Sequence, residues 1–170
     1  SAVGQATAGY RGVTVDGSYN VYLTASGGGS GHEVVRVPAA DPQCTHQGCT
    51  VLDASDWPVP AGFDPNQLAT DAQGDLYTAG GNAVLTLPAA ALTAATPGAC
   101  GGGCTLVGGT VANATGVAVD ASGNVYIADQ GAGTVVEAPL ADPGCTNAPC
   151  KTVASGAGSI YAVAVDASGT

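Results

Sequence analysis

Positive charge is nearly missing from this chain. Arg11, Arg36 and Lys151 are its only basic residues against thirteen acidic ones, and charged residues make up 9% of the 170. A net charge of -10 excludes nucleic acid as a partner, because neutralising phosphates needs a basic footprint. It argues equally against an anionic membrane surface. The acids are scattered rather than gathered in a tail. No apolar run approaches the length of a bilayer-crossing helix, so no membrane insertion is expected in this segment. Methionine is absent, and no basic-then-apolar leader opens the chain. The sequence therefore reads as a processed product or an excerpt. Histidine is scarce, with His32 and His46 both in connecting segments, and no Gly-x-Ser-x-Gly elbow is present. General acid–base or nucleophilic catalysis has little material here.

What is abundant is repetition. The segments Gly12-Val-Thr-Val-Asp-Gly-Ser-Tyr-Asn-Val-Tyr22, Leu68-Ala-Thr-Asp-Ala-Gln-Gly-Asp-Leu-Tyr77 and Gly116-Val-Ala-Val-Asp-Ala-Ser-Gly-Asn-Val-Tyr126 are versions of one motif. A fourth copy begins at Ala162 and runs to Thr170. The marker aspartates Asp16, Asp71, Asp120 and Asp166 are spaced by 55, 49 and 46 residues, and each complete copy puts a tyrosine six residues later. A period of this size signals one supersecondary unit used repeatedly.

Each unit resolves into four short strands rich in β-branched residues and separated by Gly, Asn, Asp and Pro. In the third unit these are 117–120, 125–128, 134–138 and 151–154; in the first, 13–16, 20–24, 33–37 and 50–53; in the second, 68–71, 75–79, 83–87 and 104–107. The Ala-rich stretch 89–95 reads as a loop with one helical turn. Four antiparallel strands at this period predict an all-β chain of propeller blades, a single segment with blades over residues 12–54, 67–107 and 116–154 and a fourth starting at 162–170. The parallel β-helix is the alternative, but its rungs are shorter.

Within the frame, the aspartate is expected to accept backbone N–H bonds across the tight turn that follows it. Gly74 and Gly123 supply the positive φ of that turn, whereas Tyr19 stands at the corresponding place in the first copy and predicts a different turn there. The tyrosine should pack between blades with its hydroxyl at a polar edge.

The six cysteines fall into three local pairs, Cys44/Cys49, Cys100/Cys104 and Cys145/Cys150. The first and third share the frame Ala-Asp-Pro-x-Cys, opened by Asp41 and Asp142, which read as turn initiators. One pair per repeat favours three local disulfides in an oxidising compartment, each closing a short loop worth about 2 kcal/mol. Zinc is the rival reading. It needs four converging ligands, and here each pair sits in a different repeat.

The run Gly116-Val-Ala-Val-Asp-Ala-Ser-Gly-Asn-Val-Tyr-Ile-Ala-Asp129, the following Thr-Val-Val-Glu-Ala-Pro139 and the cysteine-bounded hairpin together resemble the NHL-repeat β-propellers, specifically the secreted bacterial type. The resemblance covers nearly the whole chain, most strongly the third repeat. It implies blades around a central channel, commonly six, with partner-binding loops on one face. Gln130-Gly-Ala-Gly replaces the Asn- and Arg-containing turn usual in the family, which sets a family-type ligand surface in doubt. With residues 2–6 taken as an extra outer strand, the strand order leaves both end blades partial. The expectation is an excerpt of a larger ring, or an array completed by assembly.

Candidate sites each have a plain structural counterpart. The marker aspartates offer one acid per turn, or two at Asp71 and Asp75, where calcium wants six to eight oxygens, so turn capping is favoured over metal binding. His32, beside a glycine-rich turn and Glu33, reads as a solvated loop residue rather than a base. Trp57 and Phe63, in the insertion 56–65, are either an exposed interaction knob or the cap of the seam between the first two blades. Asn113-Ala-Thr115 is an N-glycosylation acceptor pattern, so an attached glycan is one expected partner.

The expected function is a non-enzymatic, extracellular or cell-surface propeller that binds protein or associates with itself through blade edges, as a structural or filament component, without a cofactor. Two alternatives stand beside it. One is a propeller hydrolase or lyase with its catalytic residues outside this segment. The other is the ligand-sensing ectodomain of a membrane receptor.

Overall fold

The computed structural model describes residues 9–28, 31–43, 49–52, 57–94, 96–156 and 158–166. Within them, alternating aliphatic and small polar residues form three four-stranded antiparallel sheets. The first holds β1 (Gly9–Val15), β2 (Val21–Gly28), β3 (Gly31–Val37) and β4 (Thr50–Val51). The second holds β5 (Gln67–Thr70), β6 (Leu76–Gly80), β7 (Ala83–Leu87) and β8 (Thr105–Val107), with the one-turn helix α1 (Ala89–Leu92) before its last strand. The third holds β9 (Ala114–Val119), β10 (Val125–Asp129), β11 (Thr134–Ala138) and β12 (Lys151–Ser155). Strands in every sheet follow chain order, so each sheet is a meander and makes one blade.

The core lies between blades rather than within them. Strand alternation gives each blade two different faces. In the second blade, Leu76 opposes Leu87, and this leucine face packs on Tyr22, Val34 and Leu52 of the first blade. The opposite face, with Tyr77, Ala79, Val84 and Val107, packs on Val117, Val125, Ile127 and Ala138 of the third. Each fully buried leucine here contributes about 2 kcal/mol by leaving water. The order tyrosine face against aliphatic face therefore occurs twice, once per seam.

Inner strands β1, β5 and β9 lie side by side, which sets the blades around a common axis. Small groups let them approach. The Thr24 hydroxyl donates to the Asn66 carbonyl at 2.7 Å and accepts from the Gly12 N–H at 2.7 Å. A Cβ on Gly12 would collide with the Asn66 carbonyl oxygen, and one on Gly116 would stand 2.8 Å from the Ala162 Cα. The glycine that opens the repeat thus serves the approach of the next inner strand. Arg11 adds an ion pair to Asp64 at 2.7 Å across the same seam.

Three expectations change against the structure. The first outer strand is only Thr50–Val51, and residue 53 lies outside the described residues. The turn at Tyr19 is not built differently. Tyr19 adopts φ 64°, and its N–H donates to the Asp16 carbonyl, as Gly74 and Gly123 do to Asp71 and Asp120. The carboxylate network holds the turn strongly enough to carry a non-glycine residue in the left-handed region. Residues 158–166, where the fourth copy begins, run along β9 without forming a strand. The Thr115 hydroxyl donates to the Ile160 carbonyl at 2.7 Å, yet no ladder forms. An inner strand pairs only with the second strand of its own blade, and none stands beside 162–166 among the described residues. Residues 2–6 lie outside the described residues.

Candidate functional site

The acidic turns are the most regular polar feature. In all three blades one carboxylate oxygen accepts two backbone N–H groups, from the residues two and four positions on. The donors are Ser18 at 2.8 Å and Asn20 at 2.9 Å to Asp16. Gln73 and Asp75, both at 2.9 Å, serve Asp71. Ser122 at 2.8 Å and Asn124 at 2.9 Å serve Asp120. The second oxygen accepts the tyrosine hydroxyl six residues on, at 3.1 Å from Tyr22, 3.0 Å from Tyr77 and 3.4 Å from Tyr126. The polar edge expected for the tyrosine is therefore the turn aspartate itself.

A further bond ties this turn to the loop between the third and fourth strands. The side-chain oxygen at the position four beyond the aspartate accepts a backbone N–H from that loop. Ala39 reaches Asn20 at 3.2 Å, Ala89 reaches Asp75 at 2.7 Å, and Leu140 reaches Asn124 at 3.2 Å. Asn20 and Asn124 also donate their amides to the neighbouring carboxylate, at 2.8 and 2.9 Å. Asp75 has no amide to give, so the second blade sets two carboxylates side by side instead.

Electrostatics follow these bonds. Burial works to raise the carboxyls of Asp16 and Asp120, but side-chain and backbone donors from Asn20 and Asn124, then the other turn donors, outweigh it and hold both below the usual value. Burial, then the charge of the partner aspartate, pushes the hydroxyls of Tyr22 and Tyr77 above the usual tyrosine range. Lone pairs spent on three or four local donors leave these groups poorly placed as bases or metal ligands. Asp166 belongs to the same series, and the residues after it lie outside the described ones.

The cysteine loops stand at the same end of the blades. Cys100–Cys104 and Cys145–Cys150 are disulfide-bonded. Cys49 is disulfide-bonded as well, while Cys44 and His46 lie outside the described residues. The backbone of His32 belongs to β3, not to a loop, and its side chain is outside what is described.

The insertion aromatics do not form an exposed knob. Trp57 is 8% exposed, meets Phe63 edge-on at 6.4 Å and donates its indole N–H to the Gly98 carbonyl at 2.8 Å. Both pack on the seam between the first two blades. The acceptor pattern at Asn113 is not freely presented. Its amide donates to Gln130 at 2.9 Å, and Thr115 is buried with its hydroxyl committed to Ile160.

Two further acids matter: Asp129, which the repeat did not single out, and Asp142, expected only as a turn initiator. Asp129 is buried and accepts N–H bonds from Ala112, Asn113 and Ala132 at 2.9, 3.0 and 3.2 Å, and these donors overcome burial to hold its carboxyl below the usual value. Its position is occupied by Ala25 and Gly80 in the other blades, so no periodic signal marked it. Asp142 accepts the N–H groups of Thr146, Asn147 and Ala148 at 2.9, 2.8 and 3.3 Å, and these hold its carboxyl down to about 2.

The remaining feature is an open face. The tyrosine faces of the first two blades are covered, but in the third it forms one wall of a cleft of about 400 Å³. Tyr126, Val135, Glu137, Lys151 and Val153 line that wall, and Val163 and Val165 of the fourth copy line its inner end. Lys151 and Glu137 pair with each other there at 3.1 Å.

No known protein family matches the sequence, and no curated protein does. Solved structures do match in shape. A streptogramin B lyase superposes with a TM-score of 0.62 at 12% identity, over 95% of this chain and 46% of that one. A catalytically inactive virginiamycin B lyase from Staphylococcus aureus, with quinupristin, gives 0.59 at 9% identity, over 92% and 45%. YCF48 bound to D1 peptide gives 0.55 at 7% identity, over 95% and 44%. This chain thus spans about half the length of these structures, and at such identities the likeness is one of fold, the β-propeller.

Proposed function

We propose that this chain is a non-enzymatic structural or protein-interaction propeller segment of the NHL-repeat type, working outside the cell and associating with protein or with itself through its blade edges. The observation behind this reading is the contrast between spent and unspent surface. Asp16, Asp71, Asp120, Asp129 and Asp142 each accept several bonds from the local backbone, so the acids that chemistry would draw on are used in construction. The outer edge strand β12, by contrast, is exposed at all five of its residues. Disulfides in the blade-end loops support an oxidising compartment.

An exposed strand edge such as that of β12 can pair with another chain, whereas β4 and β8, at two and three residues, offer little to pair with. Self-association therefore ranks above service as a soluble receptor. Light scattering of the purified chain across a range of concentrations tests this. The mass should rise above that of the 16.2 kDa monomer as concentration increases. A single monomeric species at every concentration would contradict self-assembly.

A further inference from the structure

Cys100–Cys104 and Cys145–Cys150 sit in equivalent loops, each before the outer strand of its blade and each leaning on the blade before its own. Cys100 and Cys104 pack with Trp57 on the first seam, and both are 7% exposed. Cys145 and Cys150 pack on the second seam but stay partly exposed. The difference comes from what connects the blades. The connection 52–66 is long enough to lay Trp57 over the second blade's loop, with its indole N–H on the carbonyl of Gly98, two residues before Cys100. The connection 108–113 is much shorter. There the carbonyl two residues before the cysteine, that of Pro143, takes the N–H of Gly108 at 2.7 Å instead. Gly109 follows, and a Cβ on it would stand 3.3 Å from the Gly144 carbonyl oxygen and 3.6 Å from the Cys145 Cβ. Two glycines thus bring the connection to the loop without a side chain to cover it. A cleft of about 460 Å³ is left, lined by Gly108, Gly109, Thr110, Thr146 and both cysteines. Every wall residue lies between two complete blades.

From this contrast we propose that Cys145–Cys150 is a site of thiol–disulfide exchange, where a small thiol without negative charge becomes covalently attached to the third blade, while Cys100–Cys104 is shielded. The thiol reacts as its thiolate, which attacks one of the two sulfurs through the cleft. The Cys145–Cys150 bond breaks as the new S–S bond forms, and the other cysteine leaves as a thiolate that takes a proton from water. One disulfide replaces another, so no oxidant or reductant is consumed. Exchange needs a line of approach to a sulfur, which the cleft supplies and Trp57 denies to the second blade's pair. Backbone strain works in the same direction. Cys145 holds φ 51°, a left-handed conformation unfavourable for a residue with a Cβ, and opening the bond removes one of its restraints. The other restraint is the Asp142 carboxylate, which holds Thr146, Asn147 and Ala148 and sets a negative charge beside Cys145. That charge repels a thiol that carries an anionic group of its own.

The test exposes the folded chain to mercaptoethanol, quenches by alkylation and maps the peptides by mass spectrometry. The adduct on Cys145 or Cys150, with the other cysteine alkylated, should form about tenfold faster or more than any adduct on Cys100 or Cys104. Mercaptoethanesulfonate, of the same length but with a negative charge, should react more slowly at Cys145–Cys150. Thr110→Trp, at an exposed position on the cleft wall, sets an indole over this loop as Trp57 does over the other. It should slow exchange at Cys145–Cys150 about tenfold and leave Cys100–Cys104 unchanged. Trp57→Ala should do the reverse, speeding exchange at Cys100–Cys104 alone, with circular dichroism checking that each variant stays folded. The comparison of the two pairs in the unaltered chain stands whatever the variants do to the fold. Equal rates at the two pairs, earlier opening of Cys100–Cys104, or exchange at Cys145–Cys150 indifferent to a folded Thr110→Trp would overturn the proposal.

Discussion

At the scale of single residues, the repeat is a carboxylate with a fixed set of donors. The side chain of Asp16, Asp71 or Asp120 organises its turn, and its bond to the tyrosine joins that turn to the seam. The strength of the device shows at Tyr19, which holds φ 64° where glycine is expected. Its weak copy is the second, where Asp75 replaces the asparagine of the other two and gives Asp71 no side-chain donor. Asp75→Asn keeps the oxygen that accepts from Ala89, adds an amide facing Asp71 and removes one of two adjacent charges. It should stabilise the chain by about 0.5–1.5 kcal/mol in a urea melt at neutral pH. An unchanged or lowered midpoint would mean that the amide does not reach Asp71.

At the scale of elements, hairpins and their loops carry the blade, and one loop is set by charge. Between β11 and β12, the Asp142 carboxylate holds the backbone of the disulfide loop Cys145–Cys150. Its carboxyl sits at about 2, below the value of about 3.9 expected for an unfolded chain. A carboxyl depressed by folding contributes stability fully above the unfolded value, and that contribution is lost as pH falls through the folded one. The amide shifts of Thr146, Asn147 and Ala148 should therefore titrate together with a midpoint near 2. Their counterparts in a peptide of residues 141–151 should titrate near 4. A common midpoint near 4 would show that the loop is not held this way. The frame Ala-Asp-Pro-x-Cys had marked Asp142 as a turn initiator, which its bonds extend to the whole loop.

At the scale of the whole molecule, strands were legible because short β-branched and aliphatic runs are bounded by Gly, Asn, Asp and Pro, even in β6 and β7 where both faces are buried. The third blade's second and third strands start where β-branched residues begin alternating, and the aspartate turn fixes their register. Other features had no periodic mark. Asp129 occurs once, and the approach of Ala162 to Gly116 depends on a neighbour many residues away. Trp57 gave no direction because a lone aromatic buries equally well in a seam or a partner. The glycan pattern at Asn113 was visible, but its commitment to Gln130 depends on how two loops meet.

On the proposed reading, the acidic turns serve construction and association runs through the exposed edge of β12. Hydrogen exchange measured on dilute and concentrated solutions of the chain tests it most directly. Amides of β12 should slow as concentration rises, while those of β6 and β7, already enclosed between blades, should not change. Exchange indifferent to concentration, or slowing confined to the first blade, would contradict the account.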